Sequence, residues 1–218
     1  MITVSNFSKQ ELIRLFGAPE KNIVVTYLGI EHVQSTTPDP TVLKRYGLTP
    51  KAYVFAVGSA NPNKNVQILG KVSEALTDLG MQFVVAGGRN DRAFSNEGLL
   101  PKGVTRLGYV NERELRALYE NAGCFVFPSL YEGFGLPPLE AICLGTPVVV
   151  SNCSSMPEVF AGCALFADPQ DPLDFARQIR NALSGQGASY DERRRWASQF
   201  SWSKCARETW RVLEACKS

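Results

Sequence analysis

The sequence predicts an α/β fold built on a doubly wound parallel sheet, and three observations carry that expectation. Short apolar runs alternate with helical patterns along the chain, the order that gives a parallel sheet covered by helices on both faces. Glycines follow several apolar runs, where the chain must turn out of a strand end. Capping residues then mark where helices begin and stop.

In chain order, residues 2–4 read as a short strand. A helix over 9–16 follows, capped by Ser8 with Glu11 and closed by Gly17. The sheet proper is expected to start with residues 23–27. It continues through Tyr53–Val57, Gln82–Ala86, 104–107, Cys124–Phe127, 147–150 and 164–166. Helices are expected over 65–79, Glu112–Asn121, 137–144, Pro172–Leu183 and 202–216. Asn111 with Glu114 reads as a capping pair, and Gly80, Gly123 and Gly145 sit where helix C-caps belong. Ligands of such sheets bind beyond the carboxyl ends of the strands, which puts Gly58, Gly87-Gly88 and the loop around Glu132 on one rim.

Length and composition bound the function. The 218 residues make one large domain or a domain and a half. A charge of +2 gives no sign of a nucleic-acid partner, and Arg193-Arg194-Arg195 reads as a solvated helix face. No apolar stretch is long enough for a bilayer, and the N-terminus lacks a signal-peptide pattern, so a cytoplasmic location is expected, with peripheral membrane contact left open. The six cysteines include no Cys-x-x-Cys pair, and His32 is the single histidine, which argues against zinc. Cys124 and Cys143 read as small core residues. No Asp-x-Asp occurs, so a metal-free site is expected and no cofactor is called for.

Glu132 and Glu140 bracket Gly133-Phe134-Gly135-Leu136-Pro137-Pro138-Leu139. Gly133 and Gly135 allow a tight turn with backbone close to a ligand, and Pro137-Pro138 suit the first helical positions. Glu140 then lies about one turn into the helix and leans back toward its start, into the space Glu132 reaches from the loop. A helix N-terminus suits phosphate, and carboxylates beside it accept hydrogen bonds from sugar hydroxyls. Phosphate flanked by hydroxyl-reading carboxylates describes a sugar nucleotide. Dipole compensation plus a solvated loop glutamate is the plainer alternative.

The segment resembles the E-x7-E motif of retaining GT-B glycosyltransferases of family 4. The surrounding text agrees: Phe127-Pro128-Ser129, Leu130-Tyr131-Glu132, residues 141–147, Val148-Val149-Val150, Ser151-Asn152 and Met156-Pro157-Glu158-Val159. The resemblance runs over nearly the whole chain and corresponds to the C-terminal, donor-binding half of a family member. It implies a Rossmann-like nucleotide-sugar-binding domain over 21–200. Residues 1–20 become a hinge remnant of the N-terminal acceptor domain, and 201–218 a helix crossing back to it. The implied ligand is a nucleoside diphosphate sugar, GDP- or UDP-linked, with GDP-mannose favoured, for transfer to a glycan or lipid-linked acceptor. The missing acceptor domain or a partner chain would complete the enzyme, and the isolated half is expected to be inactive.

The resemblance also assigns roles. Lys64 matches the lysine that neutralises the donor pyrophosphate, and Glu132 with Lys64 form the catalytic pair. Donor contacts are implied at Gly58, Ser59, Lys64, Tyr109, Val110, Glu132, Gly133, Phe134, Gly135, Leu136 and Glu140, with Glu140 on the ribose and the turn at Gly108-Tyr109-Val110 reading the base edge. An arginine usually accompanies this lysine, but the chain has Ser59 and Asn63, and Arg89 is a candidate substitute. A lysine at the start of the 65–79 helix is itself unfavourable unless an anion sits there. Gly29 is either a hinge-side loop residue or a plain turn glycine, Tyr131 reads as core before base-stacking, and His32 reads as a surface histidine. A non-catalytic nucleotide-sugar-binding half that needs a partner chain is the alternative function.

Overall fold

The computed structural model describes residues 1–59, 61–87 and 101–216. Ala60, Gly88 and Arg89 lie outside the described residues. Two short strands, β1 (Ile2–Thr3) and β2 (Val24–Val25), pair in parallel as a ribbon of their own. The run at 23–27 therefore does not open the main sheet. The Val24 amide donates to the Met1 carbonyl and the Thr26 amide to that of Thr3, so β1 takes up this run before the chain reaches the sheet.

Six strands form the sheet: β3 (Tyr53–Val57), β4 (Gln82–Ala86), β5 (Val104–Gly108), β6 (Cys124–Phe127), β7 (Val148–Ser151) and β8 (Leu165–Ala167). All pairs are parallel, in the order β5-β4-β3-β6-β7-β8. Strand side chains alternate between faces. Phe55, Phe125, Phe127 and Val150 enter one core, and Val54, Ala56, Val126 and Val149 enter the other. Burial on both faces explains why these strands read as continuous apolar runs.

The helices are α1 (Asn6–Phe16), α2 (Glu31–Ser35), α3 (Thr41–Arg45), α4 (Ile68–Ala75), α5 (Glu112–Asn121), α6 (Leu136–Cys143), α7 (Met156–Phe160), α8 (Pro172–Leu183), α9 (Tyr190–Ala197) and α10 (Trp202–Ala215). α5 and α6 cover the first face, while α4 and α8 pack together on the second. Asn111 and Glu114 form the expected capping box on α5. Gly80 and Gly145 are left-handed, as helix-ending glycines are, but Gly123 is not. Ala122 ends α5, and a Cβ on Gly123 would lie 2.7 Å from the Lys51 carbonyl oxygen. The expected helix over 65–79 is shorter because Asn65 is left-handed (φ 50°), and a 3₁₀ turn, Thr77–Leu79, follows α4. The short helices α2, α3 and α7 were not expected. The arginine run lies on α9, but only Arg194 and Arg195 are exposed; Arg193 donates to the Gly145 carbonyl at 2.9 Å.

Two distant carboxylates secure the helices at either end of the chain. Ser5, not Ser8, caps α1, so the helix starts earlier than its sequence suggests. Glu11 instead pairs with Arg14 and accepts from the Tyr131 hydroxyl. The Glu158 carboxylate accepts from the Asn6 and Phe7 amides, at 2.7 and 2.8 Å, and from the Tyr27 hydroxyl. At the other end, Glu31 accepts from the Ser201 hydroxyl at 2.6 Å and the Trp202 amide at 2.8 Å. Gly29 permits that approach, since a Cβ there would fall 1.9 Å from the Trp202 nitrogen. α10 itself has no buried residue, and Trp210 and Leu213 are exposed.

Glu31 makes this tether sensitive to acid. Desolvation alone would raise its pKa, but the Ser201 hydroxyl and the amides of Trp202, Glu31 and Ser203 outweigh it and hold the carboxyl at about 2, against an ordinary 4.5. A depressed carboxyl stabilises the fold above pH 4.5, and that contribution is lost as pH falls through about 2. Acidification across this window is expected to release the start of α10. The difference in fluorescence between the chain and a Trp202→Phe variant should shift there, and a Glu31→Gln chain should show no such step. An unchanged signal to about one pH unit below the Glu31 pKa would rule the tether out.

Candidate functional site

The strand order reverses between β3 and β6, and their connections leave on opposite faces: β3 runs on to α4, β6 to α6. A crevice opens at such a switch point, outside the carboxyl ends of the strands. The loop after β3 carries Gly58, Ser59 and Lys64, and the loop after β6 carries Glu132 through Leu136. Gly58, Gly87 and Gly108 continue the same rim. The Gly58 amide donates to Ala86 at 3.0 Å and the Gly87 amide to Gly108 at 2.9 Å. A Cβ on Gly87 (φ 134°) would sit 2.0 Å from the Gly58 carbonyl oxygen, so only glycine fits there.

Lys64 lies in a 3₁₀ turn, Pro62–Lys64, and not at the start of a helix; α4 begins at Ile68. Helix polarity therefore does not explain it. The Asn61 side chain caps the turn, and the Asn65 amide group donates to the Pro128 and Pro169 carbonyls at 3.2 and 2.8 Å. The Leu130 amide donates to the Asn63 carbonyl at 2.7 Å. These bonds lash the two loops together and bring the Lys64 ammonium to 2.6 Å from a Glu132 carboxylate oxygen. The ammonium also lies 5.4 Å from the centre of the Phe127 ring, a cation–π contact. Ser59 and Asn63, where an arginine would be expected, serve the turn: the Ser59 hydroxyl accepts from the Asn61 amide, and the Asn63 amide donates to Asn61.

The Glu132 loop is held from behind. The Glu132 amide donates to Ser154, and the Ser155 hydroxyl donates to the Glu132 carbonyl. Gly133 packs against α1, where a Cβ would meet Ser8 and Val4. Phe7 and Tyr131 meet edge to face at 5.4 Å, so Tyr131 is a half-exposed prop for α1 and not core. Gly135 (φ 95°) caps α6 in a left-handed conformation that strains any residue with a side chain. The Phe134 side chain is buried against Tyr27 and Phe200, which leaves only its backbone facing the crevice side. The helix start is also poorer in donors than an ordinary one. Pro137 and Pro138 have no N–H and the Leu139 amide bonds to Gly135, so an anion there would meet the Gly135 and Leu136 amides.

Glu140 is braced on both oxygens. The buried Tyr119 hydroxyl donates to one at 3.0 Å, and His32 Nε2 lies 2.9 Å from the other. Burial and then Glu140 push the Tyr119 pKa well above its usual value, so the phenol keeps its proton. Glu140 likewise raises the pKa of His32. His32 is exposed, as a surface histidine should be, but it also contacts Glu140, which local sequence pattern does not reveal because the two are 108 positions apart. Tyr109 stands exposed after the left-handed Gly108, while Val110 packs on the core. Among the described residues no cluster of three or more His, Cys, Asp or Glu side chains is placed to hold a metal ion.

A doubly wound sheet of this order has the architecture of one Rossmann-like domain of the GT-B glycosyltransferases. The Anabaena Alr3699/HepE structure with UDP and glucose superposes with a TM-score of 0.80 at 18% identity, over 98% of this chain and 62% of that one. The chain belongs to the family described as glycosyl transferases group 1, whose profile matches residues 42–200. It is 35% identical to O-antigen chain mannosyltransferase B of Escherichia coli, over 96% of this chain and 58% of that protein. Identity to the O-antigen chain mannosyltransferase RfbU of Salmonella typhimurium is 31%, over 83% of this chain and 50% of the relative. The chain thus spans about half the length of these relatives. Among the described residues no helix is long and apolar enough to cross a membrane.

The Lys64–Glu132 pair is only partly exposed, at 29% and 16%. A double-mutant cycle with Lys64→Met and Glu132→Gln, read by urea unfolding, is expected to give a coupling of about 1 kcal/mol. A coupling of zero would mean the two loops are not joined through these charges.

Proposed function

We propose that this chain is the donor-binding domain of a retaining glycosyltransferase of the family 4 type, with a nucleoside diphosphate sugar as its ligand and GDP-mannose as the favoured donor. The observation that carries the reading is the meeting of Lys64 and Glu132 across the switch point, beside a Glu140 braced on both oxygens. In this reading Lys64 and the amides of Gly135 and Leu136 stabilise the charge of the departing diphosphate, the electrostatic contribution that usually dominates such steps. Glu132 orients sugar hydroxyls. Glu140 grips the ribose diol, and the turn at Tyr109 and Val110 lies along the base. The mannosyl donor is favoured by the two O-antigen mannosyltransferases among the relatives.

The sugar acceptor is assigned to a second domain. The relatives are about twice as long as the matched segment, and the open face of α10 and the β1–β2 ribbon are the surfaces such a domain would use. In this scheme residues 1–20 are hinge, 21–200 the donor domain and 201–218 the returning helix. Closing two domains around the reactants supplies the positioning that transfer needs. The described chain alone is therefore expected to bind donor and to transfer little, at a cytoplasmic location.

Calorimetry of the chain against GDP, UDP and ADP tests this, with saturable binding of GDP expected as the strongest. Lys64→Ala should weaken the diphosphate by about tenfold or more, the scale of a hydrogen bond to a charged group, and the monophosphate much less. Added salt should narrow the gap, because a partly exposed charge contact is screened. Equal losses for the two nucleotides would place Lys64 outside the phosphate site. No binding of any nucleotide would refute the donor-domain reading.

A further inference from the structure

His32 joins three parts of the molecule that the sequence keeps far apart. Its Nε2 faces Glu140 on α6 at 2.9 Å, and its Nδ1 accepts from the Trp202 indole N–H, on the first residue of α10, at 3.0 Å. An indole N–H can only donate. Nδ1 must therefore be unprotonated, which puts the proton of the neutral ring on Nε2, pointed at Glu140. The tautomer follows from the partner.

The histidine is itself fixed from both sides. Glu31 beside it holds the Ser201 hydroxyl and the Trp202 amide, which fixes the backbone from which the indole reaches the ring. Arg116 on α5 donates to the Val33, Gln34 and Thr36 carbonyls, which closes the other end of α2.

The effect falls on Glu140. A carboxylate offers four lone-pair positions, two on each oxygen. His32 takes one on the first oxygen and Tyr119 one on the second, which leaves one on each. Two acceptor positions on adjacent oxygens suit two neighbouring hydroxyls. The terminal torsion of a glutamate is otherwise soft, so an unbraced carboxylate would present its oxygens in many orientations.

We propose that His32 is a positioning residue for Glu140, holding its carboxylate so that one free lone pair on each oxygen meets a vicinal diol, and that Trp202 locks His32 in the tautomer that does so. This rests on Glu140 being the ribose ligand of the donor. It adds that diol recognition depends on the docking of α10, the element proposed to return to the acceptor domain.

The test is calorimetry of the whole chain with GDP and UDP, each beside its 2′,3′-dideoxy counterpart. The native chain should prefer the ribonucleotide. His32→Phe should cut that preference by about tenfold or more, the scale of one hydrogen bond to a charged group, with dideoxynucleotide affinity unchanged. His32→Gln should retain it, because the amide nitrogen of glutamine reaches the position of Nε2. Trp202→Phe should give an intermediate preference. Should phenylalanine at position 32 unfold the chain, Trp202→Phe carries the same comparison. An unchanged preference in His32→Phe, or an equal loss in His32→Phe and His32→Gln, would overturn the proposal alone. A native chain that binds nucleotide with no preference for ribose would remove Glu140 as the ribose ligand and the proposal with it. A native chain that binds neither nucleotide would overturn the donor-domain reading as well.

Discussion

The switch point between β3 and β6 is the constraint on which the site depends. Two neighbouring parallel strands send their chains to opposite faces, so their loops diverge above a gap. Lys64 comes from one loop and Glu132 from the other, and the Asn65 and Leu130 bonds fix how far the loops can part. Each charged group is thereby satisfied inside the protein: Lys64 by Glu132, and Glu140 by His32 and Tyr119. A partly exposed ion pair stabilises by only about 0–1 kcal/mol. In the proposed function a diphosphate takes Lys64 away at little cost, and Glu132 is then left free to accept from the sugar. In the proposed function the resting pair keeps both groups in place until the ligand exchanges them.

Carboxylates do a second kind of work at the ends of the chain. Glu158 holds the first amides of α1, and Glu31 holds the first amide of α10 together with its capping hydroxyl. A negative charge at a helix N-terminus is favourable, and a hydrogen bond to a charged group outweighs a neutral one. α1 leans on the Glu132 loop through Phe7, Ser8 and Glu11, and α10 reaches Glu140 through Trp202 and His32. The segments expected to be hinge and returning helix are thus wired to the two glutamates of the site.

Much of the sheet was legible because its inner strands β3, β4, β6 and β7 are buried on both faces and carry continuous apolar signals. The Glu132 loop was legible because Gly135 and the two prolines leave few backbone choices. Lys64 was found for a partly mistaken reason: it was read at a helix start, and Asn65 in the left-handed region breaks the chain there instead. The short strand at Val24–Val25 was misassigned because a two-residue run does not reveal its partner. His32, Glu31 and Glu158 were not legible, since their partners lie 108, 171 and 151 positions away and local pattern carries no trace of such contacts. Single-sequence reading thus finds residues whose role is local and misses those that position them.

A crystal structure of the chain with a nucleoside diphosphate tests the exchange most directly. The Lys64 ammonium should lie about 3 Å from a phosphate oxygen and beyond about 4 Å from Glu132, outside ion-pair range. His32 and Tyr119 should still hold Glu140, with the ribose hydroxyls on its two remaining lone pairs. A diphosphate bound elsewhere, with Lys64 still at 2.6 Å from Glu132, would contradict the account.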